Sequence, residues 1–134
     1  MRIVLDTNVI ISALLTPSGP PAKIINLVLD GTIKLAYNNE ILDEYMDVLF
    51  RKELKINREL AEYVLTFVKK EGEFIIAKPN VRKFTDEADK KFFEVYKSAS
   101  AIFLVTGNIK HFPQEPEIVI PRVFLEKFMS INNS

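Results

Sequence analysis

The sequence predicts an α/β fold, a three-layer α/β/α arrangement around a central, mostly parallel sheet. Two observations carry that prediction. Short apolar runs alternate with segments of helical spacing along the whole chain, the order that parallel strands and their crossover helices require. The first run, Ile3-Val4-Leu5, is apolar without alternation, as a strand buried on both faces should be.

Taken in order, the first strand covers roughly Arg2–Leu5 and leads into an apolar helix around Val9–Leu15. Thr16-Pro17-Ser18-Gly19-Pro20-Pro21 breaks the chain, and Pro21 suits the first turn of a second helix, because its missing N–H would be unpaired there anyway. Ile24, Ile25, Leu27, Val28 and Leu29 lie on that helix, with Gly31 as its stop. Ile33–Tyr37 is the next strand. Asn38 or Asn39 then caps a helix running through Phe50. Asn57 opens another, in which Leu60, Ala61, Val64, Leu65 and Val68 keep helical spacing up to Gly72. Phe74–Ala77 reads as a strand and Asp86–Ala99 as a helix. Ala101–Thr106 is an apolar strand and Glu117–Ile120 a short one. Pro121 starts a terminal helix with Val123, Phe124 and Phe128, and the tail Asn132-Asn133-Ser134 is expected to fray.

A chain of 134 residues has the length of one domain with a substantial core, and no repeat or linker divides it, so residues 1–134 read as one unit. Its 18 basic and 18 acidic side chains cancel, so any contact with nucleic acid must use a local patch. The absence of cysteine excludes disulfides, thiolate catalysis and thiolate zinc sites. Asp6, Asn8 and Ser12 interrupt the apolar stretch after Arg2, so it does not read as a signal peptide, and no apolar run approaches membrane-spanning length. The expectation is a cytoplasmic protein without membrane association.

Asp6 directly follows the first strand, so it lies at the edge where open α/β sheets bind ligands. Its mundane alternative is to cap the following helix, a role Asn8 could share. On the helix through Phe50, Ile41, Leu42, Tyr45, Met46, Val48 and Leu49 share one face. Glu40 and Asp47 lie opposite, and Asp43 and Glu44 sit at the two borders, between which a helical wheel does not choose. On the Asp86–Ala99 helix, Asp89 falls within the apolar sector of Ala88, Phe92, Phe93, Val95, Tyr96 and Ala99. A carboxylate withdrawn from water there needs a partner; alternatively, Asp89 serves the helix N-terminus. Thr106-Gly107-Asn108 ends another strand, where it could be no more than a turn. Parallel strands put Asp6 and this turn on the same side of the sheet, within reach of Asp89. Carboxylates converging there repel one another unless a cation neutralises them. Oxygen ligands without cysteine, and with a single histidine, favour Mg²⁺ or Mn²⁺, ions that typically act on phosphates. Neither a P-loop nor a GxGxxG stretch is present.

Four segments, Ile3-Val4-Leu5-Asp6-Thr7-Asn8-Val9, Glu40-Ile41-Leu42-Asp43-Glu44-Tyr45, Asp86-Glu87-Ala88-Asp89-Lys90-Lys91-Phe92 and Leu104-Val105-Thr106-Gly107-Asn108-Ile109-Lys110-His111-Phe112, stand in the order and spacing of a known family. Across essentially its whole length, the chain resembles the PIN-domain ribonucleases, of the kind found as toxins of toxin–antitoxin pairs. The resemblance implies a metal-dependent endonuclease that cuts single-stranded RNA with a metal-activated water, with Mg²⁺ or Mn²⁺ as cofactor and an antitoxin protein as partner. It leaves a homodimer open. It also implies that Asp6, Glu44 and Asp89 are metal ligands, so Glu44 is taken over Asp43. Asn108 matches a position held by Asp or Asn, Thr106 supplies a supporting hydroxyl, and Asn8 would orient Asp6.

The chain departs from the family at Ser98-Ala99-Ser100-Ala101-Ile102, where many relatives carry a further carboxylate. Three carboxylates are enough for one Mg²⁺, whereas a second ion would need a phosphate ligand. The departure keeps a second reading in view, a non-catalytic PIN-like module that binds RNA or an antitoxin. A third class, phosphotransfer through an aspartyl nucleophile, usually has a second acid two residues on, where Asn8 stands. His111 is read as structural rather than as a general base. Arg51-Lys52, Lys55, Arg58, Lys90-Lys91 and Lys110 are the cations available for phosphate, although charged helix faces are usually only solvated.

Overall fold

Five short strands lie side by side in the computed structural model, which describes residues 1–132. They are β1 (Arg2–Leu5), β2 (Lys34–Tyr37), β3 (Glu73–Phe74), β4 (Phe103–Val105) and β5 (Ile118–Val119), arranged in the order β3-β2-β1-β4-β5. Every pairing is parallel, with Ile3 opposite both Leu35 and Phe103. The six helices are α1 (Thr7–Leu15), α2 (Pro20–Leu29), α3 (Asn39–Leu49), α4 (Arg58–Glu71), α5 (Lys90–Ser98) and α6 (Pro121–Asn132). One helical layer is formed by α1, α2 and α6, with α6 against β4; the other is formed by α3, α4 and α5, with α5 across β1, β2 and β4. The expected α/β/α architecture is therefore present.

The central strands are as apolar as they are because both faces are covered. Ile3, Val4 and Leu5 are fully buried, as are Leu104 and Val105. Polar residues define where the helices begin. Asn38 Oδ1 accepts from the Ile41 N–H at 2.9 Å, and Asn57 Oδ1 accepts from the Leu60 N–H at 3.0 Å. Pro20 and Pro21 occupy the first turn of α2. α4 ends at Gly72, a position that must be glycine because a Cβ there would lie 2.4 Å from the Val68 carbonyl oxygen.

Three elements differ from the sequence expectation. The Phe74–Ala77 strand is instead β3 at Glu73–Phe74; as an edge strand approaching Pro79, it keeps only the Ile75 N–H bond to the Tyr37 carbonyl beyond its end. The strand expected at Ala101–Thr106 pairs only over Phe103–Val105. The helix expected from Asp86 begins with a 3₁₀ turn, Glu87–Asp89, and becomes α-helical only at Lys90. Asp86 causes this by accepting from the Ala88 N–H through its side chain and from the Asp89 N–H through its carbonyl. Of the tail expected to fray, Asn132 closes α6, while Asn133 and Ser134 lie outside the described residues. Among the described residues, no helix is long and apolar enough to cross a membrane.

Candidate metal centre

The strand order places a topological switch point between β1 and β4. From β1 the chain builds outward to β2 and β3, whereas β4 and β5 lie on its other side. The crevice above the C-terminal ends of such a strand pair is where open α/β sheets receive ligands. Asp6 and Thr106, the residues directly after β1 and β4, meet in it. The Asp6 N–H donates to the Val105 carbonyl at 2.9 Å, and Thr106 Oγ1 donates to Asp6 Oδ2 at 2.7 Å. Both residues are buried, Asp6 at 5% exposure and Thr106 at 0%. Asp6 occupies the N-cap position of α1, but its side chain makes no capping bond. Helix capping therefore does not explain its carboxylate.

Asn8 differs from its expected role. Its Oδ1 accepts from the Gly107 N–H at 3.2 Å, so it fixes the turn after β4, and the bond that orients Asp6 comes from Thr106. The physical reason is position: Asn8 lies in the first turn of α1 and faces the neighbouring strand end, where a backbone donor is free. Asn108 is exposed, and its N–H donates to Thr106 Oγ1 at 2.9 Å. It thus supports the hydroxyl that holds Asp6.

On α3, Asp43 is exposed and Glu44 is half-buried, turned towards the crevice. Glu44 Oε2 accepts from Thr7 Oγ1, and its Oε1 accepts from Lys91 Nζ at 2.7 Å. The next residue, Tyr45, is fully buried and donates through its hydroxyl to the Leu5 carbonyl at 2.5 Å. This bond pins α3 under the end of β1. Burial, with Asp6 and Glu44 nearby, pushes the Tyr45 hydroxyl well above its ordinary pKa, so it remains a donor.

Asp89 lies at the junction of the 3₁₀ turn and α5, without a capping bond from its side chain. Its Oδ2 is 3.1 Å from His111 Nδ1, which lies in a second 3₁₀ turn, Ile109–His111. Burial raises the Asp89 pKa, against the opposing hydrogen bond from His111. Beyond His111, a cleft of about 220 Å³ is lined by Arg82, Lys83, Lys110 and the Phe84 and Phe112 rings. The other expected phosphate contacts divide: Arg51, just beyond α3, is held by Asp47 and Arg58 by Glu62 on α4, and Lys91 turns inward to Glu44.

Asp6 feels the charges of the other two carboxylates. Asp6 is pushed up to about 6, first by burial and then by the charges of Asp89 and Glu44; the Thr106 hydroxyl and the Thr7 amide offset part of this rise. A carboxylate so placed gains from a nearby cation. The donor set is entirely oxygen, which fits a hard divalent ion. The side chains are not gathered around one point, however. Among the described residues, no group of three or more His, Asp or Glu side chains is close enough to hold a metal ion. Glu44 and Asp89 are occupied by Lys91 and His111, and their side chains would have to turn towards Asp6.

Sequence reasoning missed Thr7 and Tyr45 as parts of this centre. Thr7 stands between two recognised polar residues, and Tyr45 on a wholly apolar helix face has a hydroxyl that must find an acceptor. Those were the available signals.

Comparison with known proteins agrees with this fold. Residues 2–110 match the family model for the PIN domain. An uncharacterized protein of Methanocaldococcus jannaschii, MJ1680, is 32% identical over 112 residues, covering 81% of this chain and 71% of that protein. The crystal structure of VapBC2 from Rickettsia felis, bound to a DNA fragment from their promoter, shares the fold. It aligns with a TM-score of 0.53 and 18% identity, over 90% of this chain and 97% of that chain. With a five-stranded parallel sheet whose switch point lies beside Asp6, and a family match over most of its length, the chain belongs to the PIN domain family.

Proposed function

We propose that this protein is a Mg²⁺- or Mn²⁺-dependent endoribonuclease that cuts single-stranded RNA, acting in the cytoplasm as one unit over residues 1–134. Asp6, Glu44 and Asp89 would hold the ion, and Asn108 would complete the ligand set directly or through water. The observation that carries this reading is the placement of three carboxylates from three separate elements around the end of β1, where burial raises the Asp6 pKa and the charges of Asp89 and Glu44 add to the rise. Membership of the PIN family supports nuclease chemistry, and the fold shared with VapBC2 supports a toxin held by an antitoxin protein.

A divalent ion in this centre would supply a more acidic water and stabilise charge developing on the phosphodiester. The chain's own residues do the rest. Thr106 fixes the Asp6 carboxylate, Asn8 and the Asn108 amide hold the turn carrying Thr106, and Tyr45 keeps α3 seated so that Glu44 faces the crevice. Arg82, Lys83 and Lys110, lining the cleft that His111 borders, offer positive charge for the neighbouring RNA backbone. The purified Asp6→Asn protein is expected to keep its fold by circular dichroism and to lose Mn²⁺-dependent cleavage of single-stranded RNA. Cleavage equal to that of the wild type would refute the mechanism.

A second reading, a PIN-like module that binds RNA or an antitoxin without turnover, is favoured by one observation. Glu44 and Asp89 already have partners within the chain. Calorimetry with Mn²⁺ and an RNA cleavage assay together separate the two readings: uptake and cleavage that both disappear in Asp6→Asn belong to the nuclease, whereas RNA binding without Mn²⁺-dependent cleavage belongs to the module.

A further inference from the structure

Lys91 is a lysine in an unusual setting. Its side chain is only 11% exposed, whereas lysines are almost never taken out of water unless paired. Its ammonium donates to the Ala88 carbonyl and to Glu44 Oε1, and it lies 5.0 Å from the centroid of the Phe92 ring. It is thus held by the 3₁₀ turn that carries Asp89 and, across the crevice, by α3. Glu44, whose side chain is 27% exposed, has each oxygen engaged: Thr7 holds Oε2 and Lys91 holds Oε1.

We propose that Lys91 is the built-in counter-cation of the acidic crevice, and that it competes with the divalent ion for Glu44. In the metal-free protein its ammonium balances the charge that Glu44 brings towards Asp6. When a divalent ion binds, Glu44 Oε1 must exchange the ammonium for the metal, and Lys91 swings out on its four-carbon stem. The exchange frees Glu44 to turn towards Asp6, as ion binding requires. Lys91 is a positioning residue here: it acts through Glu44, sets the ion concentration at which the centre fills, and couples filling to the release of a positive side chain at the mouth of the crevice. This rests on the metal-site reading above.

The effect on metal affinity separates this role from a merely structural one. Damage to the site weakens ion binding, whereas removal of a competitor strengthens it. Lys91→Met keeps the apolar stem over Phe92, and Lys91→Arg keeps the charge. By calorimetry with Mn²⁺ at fixed ionic strength, Lys91→Met is expected to bind roughly fivefold more tightly than wild type, the worth of a partly buried ion pair. Lys91→Arg should stay close to wild type. Unchanged or weaker binding by Lys91→Met, with wild-type binding still abolished in Asp6→Asn, would overturn the role of Lys91 and leave the metal site standing. No Mn²⁺ uptake by either wild type or Lys91→Met would overturn both. A measurement on the wild type avoids dependence on the variants: during titration with Mg²⁺, the Lys91 Cε–Hε resonance should move with the midpoint of ion uptake. A stationary resonance through saturation would overturn the exchange.

Discussion

Asp6 concentrates the physics of this protein in one side chain. Buried after β1 and facing two other acids, it holds its proton to a pH near 6 in the folded chain, against an ordinary value of 3.8. An acid with a raised folded pKa binds its proton more tightly folded than unfolded. Stability is therefore greatest below the unfolded value, falls as pH rises between about 4 and 6, and carries the full penalty above that. At roughly 1.4 kcal/mol per pH unit, the metal-free wild type should be about 2–3 kcal/mol less stable than Asp6→Asn at pH 7, with the difference closing near pH 4. Urea unfolding in EDTA at the two pH values measures this. An Asp6→Asn protein no more stable than wild type at pH 7 would show that the carboxylate is not strained. Asp6 was legible in the sequence because a carboxylate directly after an apolar strand has few purely structural uses. Its bond from Thr106 was not, since those residues are a hundred positions apart.

At the scale of elements, sequence patterns located the helix starts well, because a capping side chain bonds to backbone two or three residues away and needs no tertiary partner. Asn38 and Asn57 are examples. Asn38→Ala should cost about 1 kcal/mol in urea unfolding, and because α3 carries Glu44 it should also weaken Mn²⁺ binding. Loss of stability without any change in Mn²⁺ binding would separate α3 from the site. The same local reasoning misjudged the start of α5. Helical-wheel spacing assumes about 3.6 residues per turn, whereas the Asp86 bonds tighten Asp86–Asp89 into a 3₁₀ turn with about three. Asp89 therefore sits at a junction facing His111, and Lys91, expected among the phosphate contacts, turns inward to Glu44.

Across the whole molecule, equal numbers of acids and bases give no net field, so recognition of an anionic polymer depends on where the charges lie. The cleft of Arg82, Lys83 and Lys110 borders the acid-lined crevice at His111. Removing two of these charges in Arg82→Ala/Lys110→Ala should weaken binding of single-stranded RNA in EDTA. The dependence of log Kd on log salt should also become shallower by about 1.4, at about 0.7 per phosphate contact. Fluorescence anisotropy at several salt concentrations provides the check, and an unchanged slope would place the RNA elsewhere.

The sequence by itself determined the fold class, most helix starts and the strand-end position of Asp6. These follow from burial of apolar runs and from hydrogen bonds between near neighbours. Its four motifs also sufficed for the family resemblance. The tertiary structure turns Glu44 rather than Asp43 towards the crevice, the choice that the family resemblance implies and the helical wheel leaves open; it alone decided that Thr106 and not Asn8 holds Asp6, and that Lys91 reaches Glu44. Each of these depends on the sheet order β3-β2-β1-β4-β5, which brings the ends of β1 and β4 together and lays α3 and α5 beside them. A charged side chain chooses its partner by distance and desolvation in three dimensions, and spacing along the chain specifies neither.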